Sequence, residues 1–158
     1  MYKKGDKIVY PLYGAGVIEA LEDKEINGEI QSYYVLLIPV GNLRIMISAA
    51  KAESLHVRPV YEKDVLLGYL KESLSTTAVI PENWNLRYKE NMERIKTGDL
   101  VQVALVFNNL LLRERERGLS TAEKKMMTTA KQIILSELML SMDIDRPASE
   151  NILDSIFN

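Results

Sequence analysis

A thirteen-residue apolar run places the strongest constraint on how this chain can fold. The run Leu100–Leu112 carries polar side chains at three positions only. A helix that is apolar on nearly every side must be buried all round, so the run predicts the central helix of a helical core. Gly118 follows the charged segment 113–117. Glycine readily adopts the left-handed conformation just past a helix end, so the helix is predicted to stop there.

A second helix is predicted directly after this one. Ser120 and Glu123 have the spacing of a capping box, in which the hydroxyl accepts from a free backbone N–H and the carboxylate reaches back. Apolar residues then recur at three- and four-residue steps, so one face packs while Lys124, Lys125 and Lys131 project outward. Two helices are therefore expected to meet at a tight turn flanked by cations.

The first sixty residues are typical of short β-strands. Asn27-Gly28 lies between two strand-like runs and favours a type I′ hairpin turn, because both residues tolerate positive φ. Gly14–Gly16 predicts a bend or bulge, and Pro39–Asn42 predicts a further turn. The result is a meander of four or five strands, which must curl into a small barrel to bury a core and limit its open edges.

A helical pattern replaces the strand pattern after Arg58-Pro59. Ser75–Pro81 is predicted to be a loop and Asp143–Pro147 a linker. Besides the two helices above, helices are expected at Tyr61–Ser73, from an N-cap at Asn83 through Ile95, and at Ala148–Phe157.

The chain is therefore expected to be an α+β protein with two domains. Residues 1–58 are predicted to form the small β-barrel, and residues 60–158 an all-α domain of about five helices. With 158 residues, of which 47% are hydrophobic, the chain has enough apolar side chains to fill a core.

Composition argues against catalytic and metal chemistry. The chain has no cysteine and a single histidine, His56, so it offers neither thiolate ligands nor a histidine-based dyad or cluster within one chain. Gly14–Gly16 lacks the third glycine of a dinucleotide-binding fingerprint. We therefore expect no catalytic residue, no metal and no cofactor, and we do not expect an enzyme.

The composition also limits the cellular compartment and the binding partners that we expect. No apolar run approaches the roughly 20 residues of a membrane span, and the first six residues have no apolar signal core. We expect a cytoplasmic monomer without a membrane partner. The net charge of −2 is a poor basis for holding DNA by phosphate neutralisation alone. Residues 81–138 are mildly basic, with ten Lys and Arg against eight Asp and Glu.

One set of motifs spans nearly the whole chain: Gly5–Pro11, Gly14, Asn27–Glu29, Asn83-Trp84, Arg87–Lys89, Gly98-Asp99, Arg117–Ser120 and Glu123-Lys124. Together these motifs resemble the CarD/CdnL family of bacterial transcription regulators. The resemblance runs from about residue 2 to the closing helix. The strand-rich half and the helical half carry independent parts of it.

The resemblance implies a function for each half. Family members have an N-terminal Tudor-like, SH3-like barrel that binds the β subunit of RNA polymerase, a module shared with the transcription-repair coupling factor. Their C-terminal helical domain contacts promoter DNA at the upstream edge of the element that melts first. The implied function is an accessory initiation factor that stabilises the open complex.

For promoter DNA, the resemblance singles out Trp84. A lone tryptophan at a helix start is by itself more often a core residue, because its ring buries a large area. In the family the matching ring is exposed and wedges into the minor groove at a distorted step. Leu86 departs from the family, since some relatives carry an arginine there. The residues expected to take phosphates around the wedge, unless they form only a solvated helix face, are Arg87, Lys89, Arg113, Lys124 and Lys125.

For RNA polymerase, the resemblance points to two patches on the barrel. Lys24 and Ile26 match a patch just before the Asn-Gly hairpin. In the second patch Met46 stands where some relatives have arginine. Arg44 lies two residues earlier, hence on the same face of that strand, and would restore the charge with shifted geometry. The alternative for Lys24 and Arg44 is plain surface solubility.

A second functional class stays open at this point. The chain would then be a polymerase-bound adaptor whose helical domain holds another protein, with Trp84 buried in the core. The state of the indole therefore separates the two classes.

The charge distribution generates a first prediction. Because the excess of cations in the helical half is small, the isolated protein should bind a short duplex weakly and lose that binding steeply with salt, so polymerase must supply the local concentration. Fluorescence anisotropy of a labelled duplex measures this binding between roughly 50 and 200 mM salt, the range over which phosphate contacts weaken. Tight, salt-insensitive binding would instead indicate a stand-alone DNA-binding protein.

Overall fold

The computed structural model describes residues 1–76 and 80–158. The predicted loop at Ser75–Pro81 falls partly on residues 77–79, which lie outside the described residues. The strands are β1 Lys7–Tyr10, β2 Gly14–Ile26, β3 Glu29–Ile38, β4 Leu43–Ser48 and β5 Arg58–Pro59, and the helices are α1 Lys63–Ser75, α2 Trp84–Lys96, α3 Leu100–Glu116, α4 Thr121–Met142 and α5 Arg146–Phe157.

The strands form one antiparallel sheet in the order β4-β3-β2-β1-β5. Asn27 and Gly28 have φ angles of 53° and 81° between β2 and β3, which confirms the predicted hairpin turn. A sheet followed by five helices confirms the α+β class. The domain boundary expected between residues 58 and 60 stays a prediction. Below, residues 1–59 are called the sheet part and residues 60–158 the helical part.

The register of β2, β3 and β4 sorts their side chains onto two faces. One face, with Ile18, Tyr34, Leu36 and Ile47, is buried and forms the core of the sheet part. The bulge lies between Ile18 and Ala20 rather than at Gly14–Gly16, where one was expected. Those glycines instead begin β2 in regular pairing with β1.

The β2–β3 hairpin extends beyond the rest of the sheet. β4 pairs with β3 only over residues 33–38, so residues 23–26 and 29–32 form a two-stranded end. Every residue of this end is exposed. Neither face of this two-stranded end covers a core, so the polar run Glu22–Glu25 can form part of a strand. β2 is therefore longer than its apolar segment alone predicts.

Local capping signals define most of the helix ends. Asn83 accepts a hydrogen bond from the backbone of Leu86 at 3.1 Å and begins α2, as predicted. Asp99 caps α3, and Gly118, at φ 77°, follows its end. The predicted linker Asp143–Pro147 is shorter than expected, because α5 begins at Arg146. Proline fits the first turn of a helix, where its missing N–H leaves no bond unmade.

The core of the helical part surrounds α3. Seven of its residues are buried, as the apolar run predicts, whereas Leu112 near its end is exposed. Partners come from α1, α2, α4 and α5. Among the helices of the described residues, none is both long and apolar enough to cross a membrane.

The two parts contact each other closely where α4 crosses the start of β2. A Cβ added to Gly14 would lie 2.7 Å from Oγ of Ser136, and one added to Gly98 would lie 2.8 Å from Cγ of Pro11. Both glycines also have positive φ angles. Side chains larger than hydrogen at these two positions would therefore push the parts of the molecule apart.

Candidate nucleic-acid and polymerase interfaces

Trp84 is the first residue of α2 and lies at the surface, 42% exposed. Its indole stacks on Tyr88, with ring centroids 5.4 Å apart and planes 19° from parallel. Its Nε1–H donates to Oγ of Ser120 at 3.1 Å. The ring is therefore not a core residue. It is held on one face and at its single hydrogen-bond donor, and about two fifths of the residue is open to contact.

Arg87 lies in the interior, which corrects the expectation of a surface cation facing phosphates. Its exposure is 3%, and that of Glu123 is 2%. Nε and Nη2 of Arg87 donate to the two carboxylate oxygens of Glu123 at 2.9 and 3.3 Å. Nη1 donates to the carbonyl oxygens of Glu82 at 3.0 Å and Pro81 at 3.4 Å. With these acceptors the guanidinium fastens α2 to α4, and it is shielded from any phosphate outside.

Glu123 takes part in only half of the predicted capping box. Its backbone N–H donates to Oγ of Ser120 at 3.2 Å, as expected. Its carboxylate is committed to Arg87 and also accepts a hydrogen bond from the Ser120 hydroxyl at 3.2 Å. The hydrogen bond from Arg87 holds the pKa of Glu123 below its ordinary value, although burial opposes this. The Glu123 carboxyl is therefore ionised at neutral pH.

These contacts bring the first turns of α2 and α4 side by side. Trp84 begins α2, Ser120 caps α4, and the two side chains are bonded to each other. The N-terminus of a helix carries about half a positive charge. Lys124 and Lys125 are exposed in the first turn of α4. Two helix N-termini thus meet at the indole, and two exposed lysines follow the start of α4, even though the whole chain carries a net charge of −2.

The other two predicted cations lie elsewhere. Lys89 is exposed, but five residues along α2 place it about 140° around the helix from Trp84. Arg113 is half-buried in a cleft of about 330 Å³ that Arg87 and Asn91 also line. In the described part of the chain, its Nε is buried without a hydrogen-bond partner. Lys124 follows Ser120, the partner of Trp84, by four residues and so lies on the same side of α4, whereas Lys125, at five residues, is turned about 140° from Ser120. Arg113 lies close enough to Glu123 for its charge to contribute to the lowered pKa of that carboxyl.

The four predicted polymerase contacts share the outer face of the sheet. In the register, Met46 pairs with Val35 and Arg44 with Leu37, while Lys24 pairs with Gln31. Alternation along these strands puts Lys24, Ile26, Arg44 and Met46 on one face, opposite the core. All four are exposed.

The same register separates them into two groups. Lys24 and Ile26 lie on the two-stranded end, and Arg44 and Met46 on the body of the sheet. From the row of Leu37 to the row of Gln31 is six residues of β3, or about 20 Å. A partner that touches Lys24 and Arg44 at once must therefore span the length of this face.

Arg44 is not a free cation. Its Nε and Nη2 donate to the carboxylate of Glu19 at 2.8 and 3.2 Å. That hydrogen bond lowers the pKa of Glu19 and raises the pKa of Arg44. Glu19 lies in the bulge of β2, where the irregular register turns its side chain to the outer face. An acidic partner must compete with Glu19 for this guanidinium.

Sequence reasoning missed the residues that hold the indole. Tyr88 had a readable signal, because aromatic side chains four residues apart on a helix lie in contact. Ser120 and Glu123 were predicted as a local cap, but their partners Trp84 and Arg87 each lie 36 residues away. No local pattern in the sequence indicates such a pairing.

The buried pair generates a second prediction. Glu123→Ala leaves the Arg87 charge buried and unpaired, which should cost about 3 to 5 kcal/mol and lower the melting temperature by roughly 6 to 20 °C. Replacing both residues, Arg87→Met with Glu123→Leu, should be close to neutral. Calorimetry of the single and double variants measures both changes. Glu150→Ala, which removes one partner of an exposed pair, is the matched control and should change stability by less than about 1 kcal/mol.

The same pair predicts the sign of a pH effect. Because the pKa of Glu123 is lowered in the folded state, its stabilising contribution is complete above the ordinary carboxyl pKa and is lost as pH falls through the folded value. The double variant should lose less stability than the wild type on acidification below about pH 4.5. Equal acid sensitivity of the two proteins would contradict the assignment.

Comparison with known proteins places the chain in a family. Residues 2–61 match the model of the CarD-like/TRCF RID domain, and residues 67–154 match that of the CarD C-terminal domain. The chain is 38% identical, over 140 residues, to the Bacillus subtilis (strain 168) protein named "Putative transcription factor YdeB". The alignment covers 87% of this chain and 90% of that protein. The chain therefore belongs to the CarD-like family of transcription factors, with a Tudor-like N-terminal domain of the kind associated with RNA polymerase interaction.

Proposed function

We propose that this protein is an accessory initiation factor that binds the β subunit of RNA polymerase through its sheet part and stabilises the promoter open complex through Trp84. It would act in the cytoplasm, as a monomer. The observation that carries the proposal is the exposed indole, fixed by Ser120 and Tyr88 where the N-termini of α2 and α4 meet.

The polymerase contact is assigned to the outer face of the sheet. A mixed patch of cations and exposed apolar side chains suits an acidic protein surface with apolar contacts between the charges. Lys24, Ile26, Arg44 and Met46 supply such a patch at the two ends of the face. The match to the RID domain over residues 2–61 supports this assignment.

The DNA contact is assigned to the paired N-termini of α2 and α4. Helix N-termini and lysines favour phosphates without reading bases. A flat ring can then stack against a base at a step that is already partly unstacked. Because the Nε1–H of Trp84 is already bonded to Ser120, the ring offers its face rather than a hydrogen bond. Such a wedge would recognise a distorted step and not a particular sequence.

The burial of Arg87 changes the list of phosphate contacts in this proposal. Lys124 and Lys125 are the primary candidates, since they are exposed and follow Ser120, the residue that holds the indole, by four and five residues. Lys89 is secondary because it lies about 140° around α2 from Trp84, and Arg113 is secondary because it is half-buried. Arg87 acts indirectly, by fixing the start of α2 on α4.

The adaptor alternative is less well supported. It required Trp84 in the core, and the ring is 42% exposed. An exposed ring still serves a protein partner equally well. Promoter dependence is therefore the property that separates the two functions.

A third prediction tests the polymerase face. Lys24→Glu with Arg44→Glu should leave the fold intact, since both side chains are exposed, and should lower the affinity for core RNA polymerase at least about tenfold through added repulsion. Pull-down and surface plasmon resonance measure this. Lys63→Glu with Lys71→Glu changes the net charge equally on α1 and should bind like the wild type.

Glu19→Gln sharpens the same test. Removing the carboxylate frees Arg44, so polymerase binding should strengthen if Arg44 is a contact. Retention of the Lys24/Arg44 double variant at wild-type strength would move the interface elsewhere.

A fourth prediction concerns the wedge. Trp84→Ala should keep polymerase binding and should shorten the open-complex lifetime about five- to hundredfold, corresponding to roughly 1 to 3 kcal/mol for one lost stacking contact. Its folding cost should stay below about 3 kcal/mol, because only the Tyr88 stack and one hydrogen bond are lost. A core tryptophan would cost about 3 to 5 kcal/mol.

The controls separate stacking from stability. Trp84→Phe keeps a ring and should retain part of the lifetime. Leu74→Ala truncates a similarly exposed apolar side chain on α1, at 44%, and should leave the lifetime unchanged. An unchanged lifetime in Trp84→Ala, with polymerase still bound, would refute the wedge.

A further inference from the structure

A buried ion pair crosses the junction between the sheet part and the helical part. Glu137 of α4 is fully buried, and the side chain of Arg58 in β5 is 18% exposed. Nη1 and Nη2 of Arg58 donate to the two carboxylate oxygens of Glu137, both at 2.8 Å. A bidentate guanidinium–carboxylate pair restricts the angle between its partners as well as their distance.

The remaining groups of this pair are also hydrogen-bonded, one within the helical part and one across the junction. The backbone N–H of Tyr61 donates to Glu137 at 3.0 Å, and Nε of Arg58 donates to the carbonyl oxygen of Gly98 at 3.2 Å. The guanidinium lies 4.1 Å from the centre of the Tyr61 ring. Arg58 is therefore held by α4, by the α2–α3 turn and by the segment that leads into α1.

Three further polar contacts lie along the same stretch of α4. Oγ of Ser136 accepts from the backbone N–H of Ala15 at 2.8 Å. Nζ of Lys7 donates to the carbonyl oxygen of Leu140 at 2.9 Å. Oγ of Ser141 donates to the carbonyl oxygen of Tyr61 at 2.7 Å. Directional bonds, rather than a large apolar interface alone, thus align α4 with the sheet part.

The other end of α4 carries the indole. Ser120, which holds Trp84, precedes Glu137 by seventeen residues, or about 25 Å of helix. A tilt of only 10° at the junction would move that end by about 4 Å, more than the roughly 3.4 Å between successive nucleotides of one strand. A wedge aimed at one step therefore needs a junction that holds its angle.

We infer that Arg58 and Glu137 are positioning residues that fix the angle between the polymerase-binding face and Trp84. Buried ion pairs seldom stabilise a fold more than apolar residues of similar volume would. This pair instead restricts the helical part to one defined orientation relative to the sheet part. The inference rests on the proposed function, since the angle matters only if both parts contact one polymerase–promoter complex.

The test measures the angle and the function separately. Because the chain has no cysteine, spin labels can be placed at Ala50 and Glu93, exposed positions on opposite sides of the junction. The first variant, Arg58→Met with Glu137→Leu, removes both charges. The second, Arg58→Lys, keeps the positive charge but cannot form the bidentate hydrogen bond, and it keeps the test valid if the double variant fails to fold. Arg146→Met with Glu150→Leu makes the same change on an exposed pair of α5 and is the control.

Both pair variants should keep the wild-type affinity for core polymerase and for free duplex. They should broaden the label–label distance distribution and shorten the open-complex lifetime at least about fivefold, with Arg58→Lys the milder. The control should match the wild type in every measurement.

Two results would overturn the inference: a distance distribution as narrow as that of the wild type, or a broadened distribution with an unchanged lifetime. Failure of the proposed function is a different result, namely a wild-type protein that does not lengthen the open-complex lifetime. The distance measurement on the free protein would still decide whether the pair fixes the angle.

Discussion

The buried pair of Arg87 and Glu123 is the interaction on which the candidate DNA surface depends. It takes two charges out of water, which costs several kcal/mol per ion, and recovers that cost through four hydrogen bonds from one guanidinium. These hydrogen bonds fix the first turn of α2 in one position against α4. Trp84 begins that turn, so the pair decides where the indole lies, and Ser120 and Tyr88 decide how it is oriented. The exposed ring is thus supported by a buried ion pair.

Local charge, rather than the net charge of the chain, determines the character of the candidate DNA surface. The chain carries a net charge of −2, yet the N-termini of α2 and α4 meet at Trp84, and exposed lysines at 124 and 125 follow the start of α4. Such a surface attracts phosphates weakly and gains its effect when a tether holds it at the right place. The outer face of the sheet is the candidate tether. Helix α4, which is bonded to the sheet part through Glu137 and Ser136, connects the two candidate surfaces.

Much of the fold follows from short-range rules, whereas the sites depend on long-range contacts. Asn27-Gly28, Asn83, Asp99 and Gly118 each act within a few residues, and their turns and helix ends were predictable from the sequence. The predicted linker runs to Pro147, whereas α5 begins at Arg146, because proline also suits the first turn of a helix. Arg87 was predicted at the surface because its partner Glu123 is distant in the chain, and the pairing of Arg58 with Glu137 spans 79 residues. A cation on an amphipathic helix has no local signature that distinguishes a buried pair from a free surface charge.

The most direct test of the account observes the indole itself during initiation. Trp84 is the only tryptophan, so the protein labelled with 5-fluorotryptophan gives one fluorine resonance, and unlabelled polymerase and DNA are silent. The account predicts that this resonance changes little when polymerase alone is added, and shifts and broadens when promoter DNA completes the open complex, because the ring then stacks on a base. A resonance that is the same with and without the promoter would contradict a wedge at the edge of the melted DNA.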